Sequence, residues 1–186
     1  MKKLRFISMM CLLALFVVSL VGCKKEEVNN NGNNNDNGGS GGGGSAQTGY
    51  VDLGLPSGTK WKDSNENGNG TGFYTFDEAV SAFGDKLPTK EQFDELRVYC
   101  TWEWQNNGGY KVTGPNGNSI VLPAAGICLP WEGEVYYVGS GGFYWSSTPI
   151  DSECAWNLIF YSNCVTMADD DLYGRNLGCA IRLVQD

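Results

Sequence analysis

The chain has 186 residues, 41% of them hydrophobic and 18% charged, enough for one globular domain and too apolar for wholesale disorder. Histidine is absent, which removes Ser-His-Asp and Cys-His catalysis, imidazole metal sites and histidine pH switches. A pI near 4.5 and a formal charge of -8 argue against nucleic acid as a partner, because its phosphates would be repelled.

Lys2, Lys3 and Arg5 precede an apolar run over residues 6–20, the layout of an export signal; a transmembrane helix is the alternative. Leu20-Val21-Gly22-Cys23 resembles a bacterial lipobox, which implies a signal peptide over residues 1–22 and lipidation of Cys23. Acyl chains contribute about 0.8 kcal/mol per buried methylene, so several of them hold a protein on a membrane. Loss of Lys2, Lys3 and Arg5 takes 13 basic residues to 10 against 21 acidic ones, a mature charge of -11. Lys24-Lys25-Glu26-Glu27 is similar to the lysine-then-acid export signal of Bacteroidetes surface lipoproteins, which implies an outer-membrane lipoprotein facing the exterior. Residues 23–49 are then the lipidated cysteine and a tether of mainly Asn, Gly and Ser, with residues 41–45 also resembling an engineered linker. Such a composition cannot bury enough surface to offset its ordering entropy, and about 20 residues of it span ~25 Å.

Residues 50–186 form the domain, and all six Trp and all nine Tyr fall inside it. Tyr50-Val51-Asp52-Leu53, the turn Pro56-Ser57-Gly58 and Thr59-Lys60-Trp61 predict a hairpin. A polar, glycine-rich loop occupies 65–72. Thr75 with Glu78 is a capping box, Ala79, Val80 and Phe83 give one apolar face, and Gly84 ends the turn. Thr89 and Gln92 repeat the device, with Phe93, Leu96, Val98 and Cys100 on the expected buried side and Lys90, Asp94 and Arg97 on the wet side. Strands are expected over 101–105 and 110–113 around Asn107-Gly108-Gly109, then at 119–122, 135–138, 143–147, 155–160, 165–167 and 179–184. The loops between them, around 126–134, 149–154 and 168–176, are long for a small scaffold and point to function.

Several motifs together carry a family resemblance. They are Tyr50-Val51-Asp52-Leu53-Gly54-Leu55-Pro56-Ser57-Gly58-Thr59-Lys60-Trp61, Leu87-Pro88-Thr89 with Phe93, and Cys100-Thr101-Trp102. Lys111-Val112-Thr113-Gly114-Pro115-Asn116-Gly117-Asn118-Ser119-Ile120 follows, then Leu122-Pro123-Ala124-Ala125-Gly126, Tyr144-Trp145-Ser146-Ser147-Thr148, Arg175, Gly178 and Ile181-Arg182. The domain resembles the Fibrobacter succinogenes major paralogous domain of gut Bacteroidetes, departing from it between Trp61 and Phe73, where it is shorter. The resemblance implies an α+β, C-type-lectin-like fold: two short helices, mostly antiparallel strands and long loops. It also implies that the first and last strands pair and that loops on one side form a recognition face. The fold is the scaffold of formylglycine-generating enzymes as well, but nothing in this sequence matches their catalytic pair closely.

The last 40 or so residues resemble the variable region of retroelement-diversified proteins, in which template adenines are randomised. An Asn codon so treated yields Cys, Tyr, Asp, Ile, Leu, Ser, Thr or Ala but never Lys, Gln, Glu, Met or Trp. Residues 147–184 lack Lys and Gln altogether, leaving Glu153, Trp156 and Met167 as positions that would have to be fixed. The resemblance implies a ligand-binding face comprising Asp151, Ser152, Cys154, Ile159, Tyr161, Asn163, Cys164, Asp169, Asp170, Leu172 and Tyr173. Alternation puts Ile159 and Tyr161 on one strand face. Trp131, Tyr136 and Tyr137 are further stacking candidates, with core packing expected for at least one.

Five cysteines remain in the domain, Cys100, Cys128, Cys154, Cys164 and Cys179, and no Cys-x-x-Cys spacing supports a zinc or redox motif. Export permits disulfides, an odd number leaves one thiol over, and Cys100 reads as a small buried hydrophobe. Asp169-Asp170-Asp171 could ligate calcium, but consecutive side chains diverge and solvation is the preferred reading. Arg182, flanked by apolar residues, is expected to be structural, paired with a carboxylate inside the frame. The expectation is therefore a surface receptor for an extracellular protein or glycan: a monomeric domain, not an enzyme, with no cofactor and no metal. A structural adhesin or fimbrial component is the alternative.

Overall fold

Residues 49–168 and 174–186 are described in the computed structural model of the protein. The lipidation site Cys23 and the candidates Asp169, Asp170, Leu172 and Tyr173 lie outside the described residues. The expected hairpin forms: β1 (Tyr50–Asp52) pairs antiparallel with β2 (Lys60–Lys62), Val51 opposite Trp61. Its connection is fixed by the Gly58 N–H, which donates to the Leu55 carbonyl at 3.0 Å, and by the Gly54 N–H on the Asp52 carboxylate at 2.7 Å.

Both predicted helices follow, α1 (Phe76–Phe83) and α2 (Lys90–Tyr99), each opened by a complete capping box. Thr75 and Glu78 exchange side chain–backbone bonds at the first, Thr89 and Gln92 at the second. Phe76 and Ala79 are buried on α1, Phe93 and Leu96 on α2. The expected buried face of α2 is too long by a turn. Val98 is 73% exposed and Cys100 is the half-buried C-cap, because the helix ends at Tyr99 and only its i, i+3 pair Phe93 and Leu96 points inward. Val80 is likewise an exposed residue of α1.

Three further sheets are built from the aromatic-rich half. β3 (Thr101–Trp104), β4 (Gly109–Thr113) and β5 (Ser119–Pro123) form an antiparallel meander. β6 (Ile127–Leu129) and β7 (Glu134–Tyr136) form a two-stranded ribbon. β8 (Gly141–Pro149), β9 (Ala155–Tyr161) and β10 (Cys164–Ala168) lie in the order β10-β9-β8. The architecture is α+β, with two short helices and mostly antiparallel sheets.

The last segment departs from expectation. Of the strand expected over 179–184 only the end is regular: β11 (Val184–Gln185) pairs with β2, giving the order β1-β2-β11. The terminal strand therefore meets the second strand and not the first. Upstream of it the chain is extended, but it bonds in turn to different elements, so no continuous ladder forms. Cys179 exchanges backbone bonds with Tyr74, Ala180 bonds to Phe143 and Trp145, the Ile181 carbonyl accepts from Glu66, and the Leu183 carbonyl accepts from Lys62. Cys179 to Val184 are all buried, and each apolar side chain enters one of two core clusters.

Arg182 sits inside this frame, 1% exposed, and its partners are not carboxylates. Nε donates to Asn65 Oδ1 at 3.0 Å, Nη1 to the Lys62 carbonyl at 2.8 Å and Nη2 to the Val121 carbonyl at 2.6 Å. Asn65 in turn donates to the Tyr144 hydroxyl, which donates to the Pro123 carbonyl. Buried carbonyls and a guanidinium satisfy one another, joining the N-terminal sheet, the meander and the tail. Close backbone approach explains Gly114, where a Cβ would stand 2.0 Å from the Leu53 carbonyl oxygen. Gly142 gives up its side chain to the Phe160 ring, 2.1 Å from where a Cβ would lie.

Candidate functional site

The β8–β9 hairpin carries the sequence candidates, and its geometry divides them. Pro149 pairs with Ala155 at one end, and Gly141 with Tyr161 at the other. The seven residues of β9 separate those ends by ~20 Å at about 3.3 Å per residue.

At the Pro149 end the turn is locked by its own polar groups. The Asp151 carboxylate accepts the backbone N–H of Glu153 and of Cys154, both at 2.7 Å. Those two bonds, with the nearby Arg175 guanidinium, hold its carboxyl below the usual carboxylate range. Gly174 bridges to Cys154, and the Arg175 N–H donates to the Glu153 carbonyl at 2.8 Å, so the tail strand is stitched to the turn. The Arg175 side chain then crosses to α1. Its Nη1 bonds the Asp151 carbonyl at 3.1 Å, its Nη2 pairs with Asp77, and its guanidinium carbon lies 4.6 Å from the Phe76 ring centre. Its Nε is buried without a partner.

These groups line a cleft of about 590 Å³ between the start of α1, the β8–β9 turn and residues 174–176. Ser152 and Cys154 of the sequence candidates lie on it, together with Thr75, Asp77, Glu153, Arg175 and Asn176. Asp151 and Ser152 are exposed, whereas Cys154 is 5% exposed, because alternation turns it toward the interior as β9 begins.

The other candidates lie elsewhere. Ile159 is 4% exposed and belongs to the core cluster around Phe143, Trp145 and Ile181, so it is withdrawn as a ligand contact. Alternation does put Ile159 and Tyr161 on one strand face, but that face points inward. Tyr161 is half-buried and packs edge-on against Tyr137 and Phe143, at ring distances of 6.0 Å. Asn163 is exposed in the β9–β10 turn, and Cys164 is half-buried at the start of β10. The described candidates thus fall into two groups, one at each end of the hairpin.

Sequence reading missed Arg175, Asp77 and Asn176 as cleft residues. The usable signal was charge: between Lys111 and Arg175 the sequence has no basic residue, which makes Arg175 a lone cation beside a run of acids. Asp77 was hidden because its position in the first turn of a helix already has a structural explanation.

Chemically the cleft offers hydroxyl, carboxylate, amide, guanidinium and thiol groups. Away from the cleft, burial pushes the Cys100 thiol up to about 11 and raises Cys128 and Cys179 as well. A protonated, buried thiol is a poor nucleophile. In comparison with known families, residues 101–184 match a domain of unknown function (DUF8237), a span that runs from β3 to the first residue of β11. No curated protein and no solved structure matches the chain.

Proposed function

We propose that the protein is a surface-displayed lipoprotein whose domain binds an extracellular protein or glycan, the cleft at the Pro149 end of the β8–β9 hairpin being its contact surface. The observation that carries this reading is the cleft itself: acceptors and a cation converge on a concave surface whose walls are fixed by backbone bonds. Groups held in place before contact lose less entropy on binding. The neutral state of Cys100, Cys128 and Cys179 supports binding over thiol catalysis. The scaffold is inferred to be C-type-lectin-like, with the tail threaded through the core in place of a first-to-last strand pair.

The test is to probe the purified full chain against an array of glycans and secreted host proteins. Ser152→Trp and Asn176→Trp, which fill the cleft from the β8–β9 turn and from the tail, should each abolish the strongest signal without moving the melting temperature. Signals that survive both substitutions would refute the cleft as the contact surface. Retroelement diversification of the tail is part of the same proposal, and the gene's surroundings test it. A neighbouring near-copy of the sequence for 147–184, differing only at adenines, is expected; a locus with neither copy nor reverse transcriptase overturns it.

A further inference from the structure

The β6–β7 ribbon, after which Tyr137 packs on Phe143 and Tyr161, is where apolar side chains meet water. Residues 131–140 are exposed without interruption, and among them Trp131 is 60% and Tyr136 40% exposed, with Val135, Tyr137 and Val138 beside them. Most exposed aromatics on a small domain are isolated; a cluster on one ribbon marks a contact surface.

Two features give that surface a rigid form. The Tyr136 hydroxyl donates to the Glu132 carboxylate at 2.8 Å, tying the ring of β7 back to the turn that carries Trp131. Tyr137 adopts φ 62, a left-handed conformation unusual for an aromatic residue, and its ring rests against Phe143 and Tyr161. Backbone strain of this kind persists only where surrounding contacts over-determine it. Here the Phe143 and Tyr161 rings packed against Tyr137 do so, and the chain turns directly after it.

Charge selects the occupant. The ribbon's turn and strand contribute Glu132 and Glu134, and no Lys or Arg occurs between Lys111 and Arg175. An anionic ligand would meet the repulsion of Glu132 and Glu134. An identical second copy would bring the same carboxylates into opposition, and a purely apolar partner would strand them without hydrogen bonds. A neutral, hydroxyl-rich ligand fits both halves of the surface: its apolar ring face covers Trp131 and Tyr136, and its hydroxyls donate to the carboxylates. We infer that the β6–β7 ribbon is a stacking platform for the pyranose rings of a neutral polysaccharide, separate from the cleft, none of whose lining residues belongs to the ribbon.

The experiment is affinity electrophoresis of the full chain in gels containing a neutral β-1,4-glucan or a neutral mannan, with polygalacturonate as the charged comparator. At least one neutral polymer should retard the protein and quench its tryptophan fluorescence. Trp131→Ala and Tyr136→Ala should each weaken binding by about tenfold, as aromatic anchors do when truncated. Tyr136→Phe, which keeps the ring and releases Glu132, should weaken it less. Ser152→Trp, which fills the cleft, should leave retardation unchanged. The inference is overturned if neither neutral polymer retards the protein, if polygalacturonate retards it equally, or if Trp131→Ala binds as well as the parent. Retardation lost in Ser152→Trp but kept in Trp131→Ala would move the polysaccharide to the cleft and overturn it too.

Discussion

Arg182 and Asn157 show two outcomes for a polar side chain sealed in the interior. Arg182 satisfies three acceptors, and without it the Lys62 and Val121 carbonyls and the Asn65 amide would be left buried and unmatched. Arg182→Ala should therefore cost about 3–5 kcal/mol in urea unfolding. Asn157 is fully buried on β9, and neither its amide nitrogen nor its oxygen has a regular partner; a weak contact with the Cys179 thiol is what remains. Asn157→Leu should thus raise the unfolding free energy by about 1 kcal/mol, since it removes a polar group that is paired in water and unpaired when folded.

Titration at the same scale sets the alkaline limit. Burial, reinforced by Glu95, moves the Cys100 thiol from its ordinary value up to about 11, and burial moves the Tyr144 hydroxyl up to about 12. Both groups keep their protons in the folded chain at a pH where the unfolded chain has released them. Stability is then unaffected below pH ~9 and falls as pH rises from there toward the folded values. Melting temperatures measured from pH 8 to 11 should decline above 9, and Cys100→Ala should make the first part of that decline shallower.

Single elements show what sequence pattern can and cannot reach. Both helices were legible from their first residues, because a capping box is a local exchange of bonds that needs no tertiary partner. Thr89→Ala should cost about 1 kcal/mol by thermal or urea unfolding, with Thr75→Ala similar. Strands were legible where alternation is strong, as in β4 and β5. The expected buried face of α2 was too wide, since at about 100° per residue Val98 falls on the side opposite Phe93 and Leu96, and the helix ends before Cys100. Ile159 was misassigned because β9 is buried on both faces, with Leu158 and Phe160 at 0% and Ile159 at 4% exposed, so alternation along it does not separate a wet face from a dry one. The tail expected as a strand at 179–184 is extended and buried as its composition demands. Its hydrogen bonds are shared among four distant segments, an arrangement no window of sequence contains.

At the scale of the molecule, the candidate surface expected as one face becomes two regions at opposite ends of a single hairpin. The cleft end depends on the contact between residues 174–176 and α1, and the ribbon end on packing of Tyr137 against Phe143 and Tyr161. Neither could be assembled from spacing alone, because each joins segments far apart in the chain. Charge was a better guide, since the long interval without basic residues marks Arg175 at the cleft and disfavours an anionic ligand at the ribbon. The frame between the two ends relies on its final residues. Deleting 182–186 removes Arg182, the Val184 side chain from the core and the pairing of β11 with β2. The shortened chain should show no cooperative melting transition.

The threading of residues 179–184 among the other segments also fixes a time order in the cell. The bonds that Tyr74, Phe143, Glu66 and Lys62 make with the tail cannot form until the codons for 179–183 have been translated. A ribosome therefore finishes this stretch while the interior of the domain is still open. Closure of the interior waits until that stretch has left the exit tunnel.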